Sequence, residues 1–340
     1  KIAYEPLGVI ANISAWNYPI LVGFNVFIPA LIGGNAVLYK PSEFSTLTGL
    51  NMAELLWQAG IPKDVFQVGI GAKDAGEALL ELPLDGYFFT GSYATGKYIA
   101  ERVAGKLVSV GLELGGKDPM YVSEDVDVKT AAAAGVEGAF YNNGQSCCGV
   151  ERIYVHENIY DEYLQAFVEE AKQMKMGDPT EEGTFLGSLT RPQQITVLED
   201  QVKDATKKGA SLLLGGKRAG RSGFFFEPTV LSNVNHSMKV MLDESFGPII
   251  GIQKVKDDAE AIELMLDTPY GLTSAVYTQD ENRALELMQQ LNSGTVYWNC
   301  CDRVSPNIPW SGRGASGLGS TLSHAGIRTF VQPKSYHLRG

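Results

Sequence analysis

Two residues in the sequence have side chains suited to catalysis, a cysteine on a polar turn as a nucleophile and a glutamate after an apolar segment as a base. Cys147 follows the glycine-containing segment 142–146, and segments of this kind hold reactive side chains on tight, exposed loops. A thiolate at such a position is a strong nucleophile. Cys147 and its neighbour Cys148 fit equally well as small buried hydrophobic residues, a common role of free cysteines.

Glu113 stands between two leucines at the end of an apolar segment. Burial among aliphatic side chains raises the proton affinity of a carboxylate, which suits a general base. An ion pair with Lys117, or simple exposure at a strand end, is the alternative. Asn17 follows the first predicted strand and can donate a hydrogen bond to a developing oxyanion, although an Asx-turn also explains an asparagine there.

Two further segments could bind a nucleotide, and a third, 244–248, offers a carboxylate and an aromatic ring before a rigid turn. Segment 89–96 passes from a strand through Gly91 and Ser92 into a helix, which would direct backbone N–H groups and the helix dipole at a phosphate. It is not the GxGxxG fingerprint. Segment 40–43 ends the second predicted strand, where a nucleotide ribose would lie, but its side chains also fit a solvated turn. In segment 244–248 the turn itself explains the glycine and proline.

Alternating strands and helices are predicted to position these residues. We predict strands at 9–14, 36–40, 65–70, 87–90 and 107–114, with helices at 47–57, 74–82 and 96–103. This alternation is typical of a parallel, doubly wound α/β sheet. After a boundary near Gly116 we predict a helix at 127–140, a strand at 152–155 and a helix around 159–171. Segment 309–319 is expected to loop across the surface.

The bulk composition excludes several classes of protein. A net charge of −11 over 340 residues argues against nucleic-acid and anionic-membrane partners. The four cysteines form two adjacent pairs and the four histidines are scattered, so we predict no metal site, no disulfide scaffold and a reducing cytoplasm. No apolar stretch has the length of a membrane span, so we expect no stable membrane anchor. The first residues lack an initiator Met and a signal-peptide pattern, and we expect a fragment of a longer protein.

Taken together and in this order, the segments resemble the aldehyde dehydrogenase superfamily, in its non-acylating, NAD(P)-dependent branch. The matching segments are Trp16-Asn17-Tyr18-Pro19, Lys40-Pro41-Ser42-Glu43, Phe89-Thr90-Gly91-Ser92, Glu113-Leu114-Gly115-Gly116-Lys117, Gly144-Gln145-Ser146-Cys147, Glu244-Ser245-Phe246-Gly247-Pro248 and Pro309-Trp310-Ser311-Gly312. The resemblance implies a Rossmann-like sheet plus a second α/β catalytic domain, without the family's N-terminal segment. Residues 1–116 would be a partial cofactor-binding domain and 117–312 the catalytic domain. Residues 313–340 would be a tail that returns to the cofactor domain and an oligomer interface.

The resemblance also implies a role for each matching residue. Cys147 would be the nucleophile and Glu113 the general base, while Asn17 and the backbone N–H of Cys147 would form the oxyanion hole. Lys40 and Glu43 would contact the adenosine ribose, Ser92 the pyrophosphate, and Glu244 and Phe246 the nicotinamide end. The complete cofactor set would be Trp16, Lys40, Ser42, Glu43, Gly91, Ser92, Leu114, Glu244 and Phe246, and the substrate set Tyr18, Val22 and Trp310.

The implied reaction is irreversible oxidation of an aldehyde to a carboxylic acid through a thiohemiacetal, hydride transfer and hydrolysis of a thioester. Glu43 favours NAD, and Lys40 with Ser42 leaves NADP open. Segment 297–303 resembles that of members acting on medium- to long-chain aliphatic or apocarotenoid aldehydes, and the resemblance implies a homodimer or homotetramer. The alternatives are an acylating enzyme, which Glu113 argues against, a thiol esterase-like hydrolase, or a catalytically silent truncated relative.

Overall fold

The computed structural model describes residues 1–301 and 303–339, so Asp302 of segment 297–303 and Gly340 of the predicted tail lie outside the described residues. The strands are β1 (Ile2–Pro6), β2 (Val9–Ile13), β3 (Ala36–Lys40), β4 (Phe66–Val68), β5 (Gly86–Thr90), β6 (Ser109–Glu113), β7 (Asp118–Val122), β8 (Val150–His156), β9 (Ser211–Leu214), β10 (Thr229–Ser232), β11 (Ile249–Val255), β12 (Thr273–Tyr277), β13 (Thr295–Trp298), β14 (Gly317–Leu318) and β15 (Val331–Ser335). The helices are α1 (Pro19–Ile32), α2 (Thr46–Gln58), α3 (Lys73–Glu81), α4 (Tyr93–Val103), α5 (Val128–Phe140), α6 (Tyr160–Lys172), α7 (Gln193–Lys207), α8 (Lys239–Leu242), α9 (Asp258–Leu266), α10 (Glu281–Met288) and α11 (Ser323–Arg328).

The chain forms two compact units. The first unit is Lys1–Leu114 together with Val304–Gly340, and the second unit is Gly115–Arg303. The predicted boundaries followed residues 116 and 312, and the chain returns to the first unit at Val304. Across residues 1–301 and 303–339, none of the helices combines the length and the apolar character that crossing a lipid bilayer requires.

The sheet of the first unit has the strand order β14-β6-β5-β2-β3-β4. Its pairs are parallel except that β14 pairs antiparallel with β6. Along β2 and β5 successive side chains enter two different cores: Ile10 and Phe88 join α1 and α2, whereas Ala11 and Tyr87 join α3 and α4. Because neighbouring strand residues point to opposite faces, helices cover both faces of the sheet. The predicted doubly wound sheet is confirmed.

The strand order reverses between β2 and β5, since the chain proceeds from β2 to β3 and β4 on one side and from β5 to β6 on the other. Open parallel sheets bind ligands beyond the carboxyl ends of the strands at such a reversal. The segments that follow β2 and β5 therefore lie where this fold places its ligands.

The sheet of the second unit has seven strands in the order β13-β12-β7-β8-β11-β10-β9. All neighbours are parallel except β10 and β9. Its two faces are covered by different helices, α5 and α6 on one side and α7 to α10 on the other. The strands β7 and β8 are buried along their whole length, as expected for central parallel strands.

The structure corrects two sequence predictions and adds one helix. The added helix is α1, residues 19–32, a segment for which we predicted no element. Segment 309–319 is not a surface loop, because Trp310 is 7% exposed, Ser316 is fully buried and β14 extends the sheet. The strand predicted from 107 begins at Ser109, since Leu107 has a left-handed backbone with φ of 54° and is exposed.

Candidate active site

Cys147 lies in the second unit, on the turn that leads into β8. It is half-buried, whereas residues 143–146 before it and Cys148 after it are buried. The loop is tied down on its other side: Asn143 Oδ1 accepts from Gly187 N at 3.0 Å, and Gln145 Oε1 accepts from Thr190 N at 3.0 Å. A thiol on a fixed turn with solvent access fits a nucleophile better than a core residue, and Cys148 fits the core role.

Gly115 and Gly116 bring the Cys147 turn and Glu244 together. A Cβ on Gly115 would lie 2.2 Å from Glu244 Oε1, and a Cβ on Gly116 would lie 2.7 Å from the Cys147 carbonyl oxygen. Gly116 N also donates to Glu244 Oε1 at 3.1 Å. A larger residue at either glycine would push these groups apart. Burial, and then the neighbouring Glu151, raises the pKa of Glu244 to about 7.

A buried ion pair lies beneath this arrangement. Lys117 Nζ donates to Glu151 Oε2 at 2.6 Å and to Ser245 Oγ at 3.0 Å. Burial lowers the pKa of the Lys117 ammonium, and Glu151 opposes that shift. The buried ion-pair partner of Lys117 is therefore Glu151. Sequence analysis gave Glu151 no role, and the available signal was the adjacent charged pair Glu151-Arg152 at the start of the otherwise largely apolar strand β8.

Four predicted site residues of the first unit follow the carboxyl ends of its strands. Asn17 follows β2, Lys40 ends β3, Ser92 follows β5 and Glu113 ends β6. Because these strands are parallel neighbours, the four positions share one edge of the sheet. The fold thus collects residues that are far apart in sequence at the edge where ligands bind.

Glu113 is partly buried at this edge. Burial raises the pKa of its carboxyl to about 8, and interactions with the Trp310 and Thr321 side chains oppose that shift. Trp310 comes from the return segment, where its backbone exchanges two 2.8 Å hydrogen bonds with Thr321. A carboxyl with a pKa close to neutrality is poised to accept a proton from water.

Lys40 and Glu43 occupy the end of β3. The Lys40 ammonium is buried, donates to the Pro41 carbonyl oxygen at 3.3 Å and lies 3.9 Å from Glu43 Oε2. Burial lowers the pKa of Lys40, opposed by Glu43. Ser42 caps the next turn by accepting from Phe44 N at 3.3 Å, and Glu43 is exposed. These loosely paired groups retain hydrogen-bonding capacity for a polar ligand.

The turn after β5 begins a helix suited to an anion. Ser92 is exposed and caps α4, accepting from Thr95 N at 3.4 Å. Gly91 N donates to the Glu113 carbonyl oxygen at 3.0 Å, which joins this turn to β6. Leu114 is buried against α4, where a Cβ on Gly96 would lie 2.3 Å from its Cδ2.

The remaining predicted residues lie around the start of α1 and in the return segment. Trp16 is half-buried, with its ring 6.4 Å from that of Phe44. Tyr18 and Val22 are half-buried in the first turn of α1, and Val22 N donates to the Tyr18 carbonyl oxygen at 3.0 Å. Trp310 lies beside Glu113, as described above.

The second pair of adjacent cysteines, Cys300 and Cys301, lies beside α5. Cys301 is buried against α5, and its Sγ lies 3.7 Å from the Ala134 carbonyl oxygen. Burial raises the pKa of the half-buried Cys300 thiol. Both line a cavity of about 230 Å³ with Tyr141, Tyr277 and Arg303. Among residues 1–301 and 303–339, no three His, Cys, Asp or Glu side chains are grouped to hold a metal ion.

Comparison with known proteins identifies the family. Residues 1–336 match the model of the aldehyde dehydrogenase family. An aldehyde dehydrogenase of Emericella nidulans is 38% identical, with 99% of this chain and 68% of that protein covered. An NADP-dependent enzyme of E. coli superposes with a TM-score of 0.96 at 33% identity, over 98% of this chain and 70% of that one. An aldehyde dehydrogenase of Mycobacterium tuberculosis in complex with NAD+ superposes with a TM-score of 0.95 at 33% identity, over 98% of this chain and 69% of that one.

Proposed function

The chain belongs to the aldehyde dehydrogenase family of NAD(P)-dependent enzymes, and on that premise we propose that Cys147 is its nucleophile. The observation that carries this proposal is the placement of the Cys147 thiol, half-exposed on a turn whose flanking residues are buried. The proposed reaction converts apolar aliphatic or apocarotenoid aldehydes irreversibly to carboxylic acids.

The thiolate of Cys147 adds to the carbonyl carbon of the aldehyde and forms a thiohemiacetal. Negative charge develops on the former carbonyl oxygen. The Asn17 side-chain amide and the Cys147 backbone N–H donate to that oxygen and stabilise it. When bound, NAD(P) supplies the hydride acceptor, and the acyl group remains on Cys147 as a thioester.

The residues at the sheet edge of the first unit fit a dinucleotide. The N-terminus of α4 at Ser92 suits a pyrophosphate, because its N–H groups and dipole favour negative charge. Lys40 and Glu43 suit ribose hydroxyls. The Lys40 ammonium has three N–H donors, and its partners are the Pro41 carbonyl oxygen at 3.3 Å and Glu43 Oε2 at 3.9 Å, so it can also donate to a ligand. Trp16, Ser42, Gly91 and Leu114 complete this set, and Glu244 with Phe246 serves the nicotinamide end.

Glu113 completes the cycle by removing a proton from the water that attacks the thioester. Its pKa of about 8 makes it a base of the right strength near neutral pH. The acid then leaves and Cys147 is regenerated. The same thiol and base support slow ester hydrolysis without cofactor, which is a side activity of this site.

We assign residues 1–116 to cofactor binding, 117–312 to catalysis and 313–340 to the cofactor domain and an oligomer interface. Glu43 accepts hydrogen bonds from a free 2′-hydroxyl and repels a 2′-phosphate, so NAD is the preferred cofactor, and Lys40 permits NADP. Tyr18, Val22 and Trp310 give the substrate side an apolar character, which supports long-chain aldehydes. A homodimer or homotetramer in the cytoplasm completes the proposal.

Turnover of a series of aldehydes of increasing chain length, with NAD and with NADP, tests the substrate class. Rates that fall as the chain lengthens would contradict it.

Cys147→Ser should abolish oxidation, because a serine oxygen is a poor nucleophile here. Cys148→Ser is the matched control and should retain activity, since Cys148 is buried and its Sγ lies 3.6 Å from Ser146 Oγ. Unchanged turnover in Cys147→Ser would exclude the assignment.

A further inference from the structure

We propose that Glu151, together with Lys117, is a positioning residue that holds residues 244–247 against the loop carrying Cys147. We call residues 244–247 the cofactor turn, since it contains Glu244 and Phe246. The inference rests on the proposed function, which assigns both residues to the nicotinamide end of the cofactor.

One buried carboxylate holds the backbone of the cofactor turn. Glu151 Oε2 accepts from Ser245 N at 2.8 Å, and Oε1 accepts from Ser245 N at 3.1 Å and from Phe246 N at 2.9 Å. Lys117 Nζ donates to the same carboxylate at 2.6 Å. Hydrogen bonds to an ionised carboxylate are about twice as strong as neutral ones, so this acceptor fixes the turn firmly.

The conformation that it fixes is an unfavourable one. Phe246 has φ of 46°, a left-handed backbone that is unfavourable for a residue with a side chain. The N–H of the same residue donates to Glu151 Oε1. Strained backbone of this kind persists where surrounding contacts determine it, and it is concentrated in functional loops.

Lys117 attaches the cofactor turn at a second point, and its ion pair with Glu151 is buried. Its side chain is fully buried and donates to Ser245 Oγ at 3.0 Å as well as to Glu151. A buried ion pair contributes little net stability over a well-packed apolar substitute. The presence of this buried pair therefore calls for another explanation, and the definition of a single loop conformation supplies one.

The other side of the cofactor turn contacts the two segments that position Cys147. Glu244 accepts from Gly116 N, and a Cβ on Gly116 would lie 2.7 Å from the Cys147 carbonyl oxygen. A Cβ on Gly144 would lie 2.2 Å from the Gly247 carbonyl oxygen. The turn is thus held between the ion pair and the nucleophile loop, so loss of the ion pair shifts the cofactor contacts relative to Cys147.

Glu151→Gln tests the proposal because it keeps the size of the side chain and removes the charge. We expect hydride transfer to slow about 10- to 100-fold and the KM for NAD to rise, as for a small misplacement of reacting groups. With an aldehyde deuterated at its carbonyl carbon, the isotope effect on turnover should increase. Cofactor-independent hydrolysis of p-nitrophenyl acetate by Cys147 should stay within about twofold of wild type, which is less than ~0.5 kcal/mol.

Glu124→Gln is the matched control, since it removes the 2.8 Å partner of Arg283 elsewhere in the second unit and should leave both activities unchanged. If wild-type protein fails to reduce NAD with aldehydes, the proposed function fails. If wild type is active and Glu151→Gln keeps its rate, KM and isotope effect, the positioning role is wrong. Equal loss of oxidation and ester hydrolysis would also overturn it.

If Glu151→Gln does not fold, Ser245→Ala provides the second test. It removes the hydroxyl that accepts from Lys117 and leaves the ion pair in place. The same split between oxidation and ester hydrolysis should then appear with a smaller amplitude. Kinetics identical to wild type in Ser245→Ala would contradict the proposal.

Discussion

Lys40 in the first unit and Lys117 in the second are both buried lysines, and burial lowers the pKa of both. Their partners differ. Lys117 lies 2.6 Å from a buried carboxylate, whereas Lys40 has a carbonyl oxygen at 3.3 Å and the exposed Glu43 at 3.9 Å. Lysine is almost never buried unless it is paired.

The difference separates two uses of polar groups. In the second unit the buried charges of Lys117 and Glu151 pair with each other, and Ser245 bonds to both residues. We call these three residues the closed network, and it fixes the cofactor turn. In the first unit, Lys40, Ser92 and Glu113 lie at the sheet edge where the fold binds ligands, and we call these three residues the open edge. A substitution in the closed network should therefore lower stability and also disturb the turn that the network holds, whereas one in the open edge should act mainly on ligands and catalysis.

The largest effect is expected at Glu113 in the open edge. Glu113→Gln should slow thioester hydrolysis about 100- to 10,000-fold, because a general base contributes a factor of this size. The acyl-enzyme should then accumulate, which mass spectrometry of the protein mixed with NAD and aldehyde will detect. A wild-type hydrolysis rate in this variant would place Glu113 outside the catalytic machinery.

The same carboxyl sets the pH dependence. In wild type the hydrolysis rate should rise with pH through about 8, as Glu113 loses its proton, and this rise should vanish in Glu113→Gln. Burial raises the pKa from 4.5, so the folded state binds the proton more tightly than the unfolded state. The contribution of Glu113 to stability is present below pH 4.5 and is lost as pH rises to about 8. Urea unfolding across that window measures the difference between the two proteins.

A pair of lysine variants compares the two regions directly. Lys117→Met leaves the Glu151 carboxylate buried without its ammonium and should cost about 3–5 kcal/mol of unfolding free energy. Lys40→Met loses no close ion pair, so it should change that free energy by less than about 1 kcal/mol and raise the KM for NAD instead. Denaturant titration and cofactor kinetics distinguish them. Equal destabilisation by both substitutions would remove the distinction between closed network and open edge.

The smallest effect is expected at two helix N-caps. Asp280 caps α10 by accepting from Asn282 N at 2.9 Å, and Asp280→Ala should cost about 1 kcal/mol without altering cofactor binding. Ser92 accepts from Thr95 N at a longer 3.4 Å. Ser92→Ala should cost less stability and raise the KM for NAD. If Ser92→Ala lowered stability without changing the KM for NAD, Ser92 would serve only as a cap.

Much of the first unit could be predicted because local and tertiary preferences agree there. The strand predicted at 36–40 is β3 with the same bounds, and the helix predicted at 47–57 differs by one residue at each end from α2. In both, apolar periodicity and the flanking glycine and proline point to the same structure. The order of these elements in turn predicted the edge at which the candidate residues meet.

The misses arose where long-range contacts override local signals. Two prolines and three glycines in residues 19–34 concealed α1, although Pro19 opens the helix, where proline is favoured. Trp310 and Ser316 lie in a glycine-rich segment that resembled a surface loop, and pairing with β6 buries it. The role of Glu151 depends on the backbone N–H groups of Ser245 and Phe246, which lie about 95 residues away in the chain, and no local sequence pattern reveals such a contact.

The first unit is built from two segments that are far apart in the sequence, which affects the order in which the protein folds during synthesis. β15 pairs with β1, and Phe330 is fully buried with its ring 4.6 Å from that of Phe88. The second unit is one continuous segment and needs nothing beyond Arg303 to form its sheet. Synthesis is slow relative to folding of a domain, and domains fold as units. The second unit should therefore fold before residues 304–340 emerge, whereas the first unit is completed only after β14 and β15 have been synthesised.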